Sequence, residues 1–196
     1  ASHAVAQGGA AKPQRVNQVI ERFEQGLPSF NNEHWRYIAM EHAPYDLNQV
    51  VQLLAELKPP GATRPRLTPI IRFPPEADDN YKWMVKQVLD VGVMGVILPH
   101  VTSKTEALNF VKTMRYPPQK GAKHPYPEGV RGWGPTGATR YWGFDNLVYT
   151  LQKADVWPLE PSGELLAIVM IESRAGVKNI NEILAVPGIG GALVGP

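Results

Sequence analysis

LLAIVMIES, Leu165 to Ser173, sets seven apolar residues directly before an acid, Glu172. The run does not alternate polar with apolar positions. It therefore reads as a strand buried on both faces, as in a parallel sheet wrapped by helices. A carboxylate placed at the end of such a strand is costly to bury without a partner. In barrel and doubly wound folds the chemistry gathers at that end of the strands. Glu172 is thus read first as a metal ligand or an acid/base group.

Working outward, other strand-like runs end in the same way. YIAMEH (37–42) ends in Glu41-His42, LTPIIRF (67–73) carries Arg72 near its end, and GVMGVILPHV (92–101) runs to Pro99-His100. GGALVGP (190–196) ends in Gly195-Pro196, and LPSF (27–30) is a short candidate strand. Helical spacing lies between them: residues 13–25, 47–57 behind an Asp46 cap, 80–90, and 144–154. A further helix follows Ser103 with Glu106 three residues on, the pattern of a capping box, and another covers about 177–184. Residues 117–144, rich in Gly, Pro and aromatics, read as a long loop. Strand and helix alternate, which predicts a parallel sheet with right-handed crossovers. Four consecutive strands ending in an ionisable residue then point their polar groups at one mouth.

Composition narrows the class. The chain has 196 residues, 43% hydrophobic and 19% charged, with a net charge of +2, which suits a globular protein. The basic residues are scattered, which argues against nucleic acid as a partner. No apolar run reaches membrane-spanning length. Cysteine is absent, which excludes thiolate catalysis and cysteine-ligated metals. Residues 1–12 read as a flexible segment and 13–196 as one domain. A cytoplasmic location is expected, with an exported form left open.

The segments MEHAPYDL (40–47), IIRF (70–73), VLDVGVMGVILPHV (88–101), RYPP (115–118), GVRGWG (129–134) and MIESRAGVKNINEILAVPGIGGALVGP (170–196) together resemble the metal-dependent class II pyruvate aldolases. These belong to the 4-hydroxy-2-oxoheptanedioate aldolase and citrate lyase β-subunit superfamily. The resemblance implies a (β/α)8 TIM barrel of the phosphoenolpyruvate/pyruvate type, usually hexameric. It implies that Glu172 binds a divalent metal (Mg2+, Mn2+ or Co2+), with a second acidic ligand expected after Pro196. By the same likeness His42 and Asp90 form a catalytic dyad, and Arg72 is catalytic and binds substrate. His100 stands where relatives often carry a non-titrating residue; it is placed near the substrate, as are Gly195 and Pro196. Barrels of this kind typically need about 250 residues, so the barrel reads as incomplete, with segments expected to be missing near 30–31 and after 196.

The chemistry gives these groups work. Removing a proton from a pyruvate methyl leaves a basic enolate, which a divalent cation and Arg72 can stabilise. No lysine sits at a strand end for a Schiff base. Each residue also has an ordinary explanation: Glu172 as a salt-bridged strand-end acid, His42 bonded to backbone, Arg72 paired with a nearby acid, Asp90 as a local helix-end group. The expected activity is formation or cleavage of a C–C bond between pyruvate, or a related 2-oxo acid, and an aldehyde. Two alternatives stand beside it: a citrate-lyase-like acyl-CoA lyase and a non-catalytic oxo-acid-binding relative.

Overall fold

A computed structural model describes residues 14–74, 76–77, 80–144 and 147–195. Five strands form one parallel sheet: β1 (Trp35–Ala39), β2 (Thr68–Arg72), β3 (Gly95–Leu98), β4 (Leu166–Ile171) and β5 (Ile189–Val194). Their order in the sheet is their order in the chain. A doubly wound sheet reverses direction at a switch point; this one does not, so each crossover steps the same way, as in a barrel. The sheet is open, with β1 and β5 at its edges.

The alternation of side chains explains how both faces are buried. Ile71, Val96, Leu98, Val169 and Ile171 pack outward against the helices, while Ile70, Ile97, Leu166 and Met170 form a second cluster on the inner face. All four residues of β3 are buried, whereas Val194 on β5 is 78% exposed. Each fully buried aliphatic side chain contributes about 1.5–3 kcal/mol, so the central strands hold the sheet and its edges add little.

Helices cover the outer face. They are α2 (Leu47–Leu57), α3 (Lys82–Val91), α4 (Lys104–Met114), α5 (Thr136–Trp142), α6 (Leu147–Lys153), α7 (Arg174–Lys178) and α8 (Ile180–Leu184). Asp46 caps α2 by accepting the Asn48 and Gln49 N–H groups, and Ser103 with Glu106 closes the expected capping box on α4. α3 ends on Gly92 at φ 118°, a conformation that favours glycine.

The remaining helix, α1 (Gln18–Glu24), lies across the N-terminal edge of the sheet. Its Ile20 is fully buried against the inner cluster. Asn17 caps it and also donates to the carbonyls of Glu164 and Met94, at the entries to β4 and β3. The Asn17 N–H in turn donates to Glu164 Oε2 at 2.9 Å. Glu164 is buried between Arg15 (3.5 Å) and Lys153 (3.6 Å). Burial pushes its carboxyl group above the usual carboxylate range, and the neighbouring cations only partly oppose this.

Three expectations need correction. LPSF (27–30) is not a strand: the Leu27 N–H donates back to Arg22 C=O, and Leu27 and Phe30 face solvent. After it the chain turns back, with the Glu33 and His34 N–H groups both donating to Phe30 C=O. The long loop 117–144 contains α5, whose Ala138 and Trp142 are buried at helical spacing. The helix expected over 177–184 is two short ones that meet at Asn179. The flexible segment expected at 1–12 lies outside the described residues.

Candidate active site

Because the five strands are parallel, their C-terminal ends share one edge. β1 delivers Glu41, β2 Arg72, β3 His100, β4 Glu172 and β5 Gly195 to that edge. Arg72 Nη1 stands 2.6 Å from Glu41 Oε2, an ion contact across neighbouring strands. The contact lacks hydrogen-bond alignment: Glu41 Oε2 and Arg72 Nε are both buried without a hydrogen-bond partner. Arg72 Nη1 also reaches Met170 Sδ at 3.7 Å, and its guanidinium lies 5.7 Å from the Tyr37 ring. Burial raises the Tyr37 phenol, with the Arg72 charge working against the shift.

His100 sits between the carboxylates. Its backbone N–H donates to Glu172 Oε1 at 2.7 Å. Its ring Nδ1 is 3.6 Å from the same oxygen, and Nε2 lies 3.7 Å from Glu76 Oε1 and 4.0 Å from Glu41 Oε1. The residue adopts φ 55°, a left-handed conformation that His, Asn and Asp tolerate better than most residues.

Gly195 closes the group. A Cβ there would fall 2.5 Å from Met170 Cε and 2.9 Å from Glu172 Cβ, so only glycine lets β5 approach this closely. Its own N–H donates to Ile171 C=O at 3.1 Å. Gly195 therefore lets the chain after β5 pack tightly against Met170 and Glu172, and it offers no free donor. Pro196 lies outside the described residues.

Two expected residues fall elsewhere. His42 follows Glu41, with Nε2 3.7 Å from Glu41 Oε2, but its side chain is 81% exposed. Asp90 is at the end of α3, which runs back to the N-terminal edge of the sheet before β3 begins. There its Oδ1 accepts from Arg131 Nη2 at 2.7 Å, and Gly134 and Gly137 pack against it. Burial raises the Asp90 carboxyl group, and Arg131 opposes the rise. The expected His42–Asp90 dyad is not formed within this chain, since the two residues sit at opposite edges of the sheet. Conversely, Glu41, Tyr37 and Glu76 reach the mouth without having been singled out. For Glu41 the signal was available, because it is itself the strand-end acid of YIAMEH.

A divalent cation suits this donor set. Glu172 Oε1 is fixed by the His100 N–H, and Oε2 lies close to Gly195. Glu41 adds a second carboxylate, ion-paired to Arg72 at 2.6 Å. These are hard donors of the kind that Mg2+ and Mn2+ take. Among the described residues no three such groups already form a closed cage. Two clefts, of about 470 and 520 Å3, lie away from this edge, beside Tyr141 and Trp133 respectively. The candidate site is an open mouth.

Residues 34–196 match the family described as HpcH/HpaI aldolase/citrate lyase. The chain belongs to the HpcH/HpaI family. A hydroxypyruvate/pyruvate aldolase of Roseovarius nubinhibens is 33% identical over 83% of this chain and 53% of its own length. A 5-keto-4-deoxy-D-glucarate aldolase of Shigella sonnei is 30% identical over 87% of this chain and 55% of its own. A crystal structure of an HpcH/HpaI aldolase/citrate lyase family protein from Burkholderia cenocepacia superposes with a TM-score of 0.61. It is 31% identical, over 83% of this chain and 55% of that one. The chain thus spans about half the length of the HpcH/HpaI relatives it matches.

Proposed function

We propose that this protein is a divalent-metal-dependent aldolase, a lyase that joins or separates pyruvate, or a close 2-oxo acid, and an aldehyde. The observation that carries the reading is the mouth itself: Glu172, Glu41, His100 and Arg72 from four successive strand ends, with Glu41 Oε2 and Arg72 Nε lacking hydrogen-bond partners. Aldolase names among the relatives support it.

Glu172 would hold the cation, which would supply positive charge where the 2-oxo acid's keto oxygen becomes anionic. Arg72 is anchored by Glu41 and aims its guanidinium at the mouth, where it holds the substrate's oxygens and stabilises the same developing charge. In the cleavage direction the substrate hydroxyl loses its proton, the C–C bond breaks, and the electron pair stays with the 2-oxo acid fragment. That fragment then takes a proton at carbon. His42, exposed beside Glu41, would accept the hydroxyl proton through its Nε2.

The open edges of the sheet and the half-length match to the relatives support a barrel that continues beyond Pro196. No helix among the described residues is long and apolar enough to cross a membrane. A cytoplasmic homo-oligomer, hexameric by the family likeness, completes the proposal; light scattering tests the assembly. The activity is tested by screening pyruvate against a panel of aldehydes with Mg2+, Mn2+ and Co2+. Chelator is expected to abolish turnover and added metal to restore it. Full activity in chelator would overturn the mechanism.

A further inference from the structure

We propose that a second small-molecule site lies at the edge of the sheet opposite the mouth: a cleft that takes a medium-chain monocarboxylate, its carboxylate on Lys58 and Arg140 and its hydrocarbon chain against α2 and α3. The cleft measures about 470 Å3, a size that holds small ligands. It opens where α2 and α3 end and α5 packs beside them. Val51, Leu54 and Ala55 come from α2, Val91 from α3, and Arg140 and Tyr141 from α5. The lining is mainly aliphatic. Its two charged residues are both cations, Lys58 and Arg140, and no acid lines it among the described residues.

Lys58 turns this cleft into an anion site. Its Nζ donates to the Tyr141 carbonyl and lies 5.7 Å from the centre of the Tyr141 ring. That ring is itself packed on the end of α3, since a Cβ at Gly92 would fall 2.7 Å from Tyr141 Cδ1. The ammonium is thus positioned before a ligand arrives, and it has three N–H donors, of which the carbonyl takes one. Burial pushes the Lys58 amine below its ordinary range, and no carboxylate among the described residues offsets the shift. Arg15, Arg72, Arg115 and Arg131, by contrast, each pair with an acid. A part-buried cation with no acid beside it is stabilised by an incoming anion. Arg140 adds a second, exposed charge at the rim. The class of anion follows from the donors. Pro59 and Pro60, beside Lys58 in the lining, carry no N–H, and the Ala62 N–H is spent on Pro59 C=O at 3.1 Å. The turn therefore builds no backbone cradle of the kind phosphates take. Two side-chain cations match the two oxygens of a carboxylate, and the aliphatic walls match a hydrocarbon tail.

The site does not depend on the reading of the mouth. The test is calorimetric titration of the protein with octanoate, with octanol and octyl phosphate as controls of the same chain length. It compares wild type with Lys58→Met, Arg140→Gln and Ala55→Phe. Lys58→Met keeps the bulk of the stem and removes the charge. Arg140→Gln and Ala55→Phe change exposed positions, so they keep the test decisive if the Lys58 variant misfolds. Ala55→Phe leaves both cations in place and fills the cleft from α2. The expected result is that octanoate binds and the two controls bind more weakly. Each cation variant should weaken octanoate binding roughly tenfold, and Ala55→Phe by at least as much. Saturating pyruvate with Mn2+ should leave octanoate affinity unchanged, because the mouth is at the other edge. Absence of octanoate binding, equal binding of either control, or full affinity in Arg140→Gln and Ala55→Phe overturns the assignment. So does loss of octanoate binding when pyruvate and Mn2+ are added, which would place the ligand in the mouth.

Discussion

The two ends of the sheet carry similar chemistry and use it differently. At the N-terminal edge, Glu164 is buried between Arg15 and Lys153 and accepts the Asn17 N–H at 2.9 Å. Arg15 there also donates to the Gly163 carbonyl at 3.0 Å. At the C-terminal edge, Glu172 and Glu41 stand 3.6 and 4.0 Å from the ring nitrogens of His100, and Arg72 pairs with Glu41 at 2.6 Å. The edges differ in access: the Glu164 side chain is 1% exposed and its cations 10%, a closed cluster, whereas His100 is 44% exposed and leaves the C-terminal charges within reach of a ligand.

The sharpest way to break this contrast is to exchange the predicted consequences of losing a carboxylate at each end. Glu172→Gln is expected to cut aldol turnover by about 10³-fold while leaving the thermal midpoint nearly unchanged; steady-state kinetics beside a melting curve measure both. Glu164→Ala should do the reverse. It removes a buried acid beside Lys153 and the Asn17 N–H, and about 3 kcal/mol of stability should go with it, read by urea unfolding, with kcat preserved in the folded fraction. If either variant shows the other's signature, the division of roles is wrong.

A smaller effect sharpens the mouth. Arg72→Lys keeps the charge but loses the planar fork, and a drop of roughly 10²-fold in kcat/KM is expected. An unchanged kcat/KM would reduce Arg72 to a partner for Glu41.

The smallest effect is a pH dependence at the closed edge. The Glu164 carboxyl group is raised in the folded state from its ordinary 4.5, chiefly by burial. Between 4.5 and that raised value the native protein binds more protons than the unfolded chain. Stability contributed by this group is therefore present at low pH and is lost as pH rises through the window. Glu164→Gln should flatten that part of the stability curve, measured by unfolding from pH 4 to pH 7. A steeper curve in the variant would contradict the sign.

Much of the mouth could be read from the chain because each residue closes a buried strand. Arg72, His100 and Glu172 follow runs of apolar residues, and parallel pairing places such ends together whatever the loops do. Asp90 was misplaced for the opposite reason. It ends a helix, and a helix after a strand returns to the far edge, where Arg131 of the segment before α5 meets it. α5 itself was hidden among glycines and prolines, and only Ala138 and Trp142 mark its buried face.

The sequence by itself determined the parallel sheet, the capped helices and the list of ionisable strand ends, because periodicity and capping are local properties of neighbouring residues. Only the tertiary structure decided which of those groups meet. It brought Glu41 to Arg72, set the two nitrogens of His100 toward different carboxylates, and sent Asp90 to the other edge. Distances between residues remote in the chain follow from the direction in which each strand and helix runs, and no local pattern encodes them.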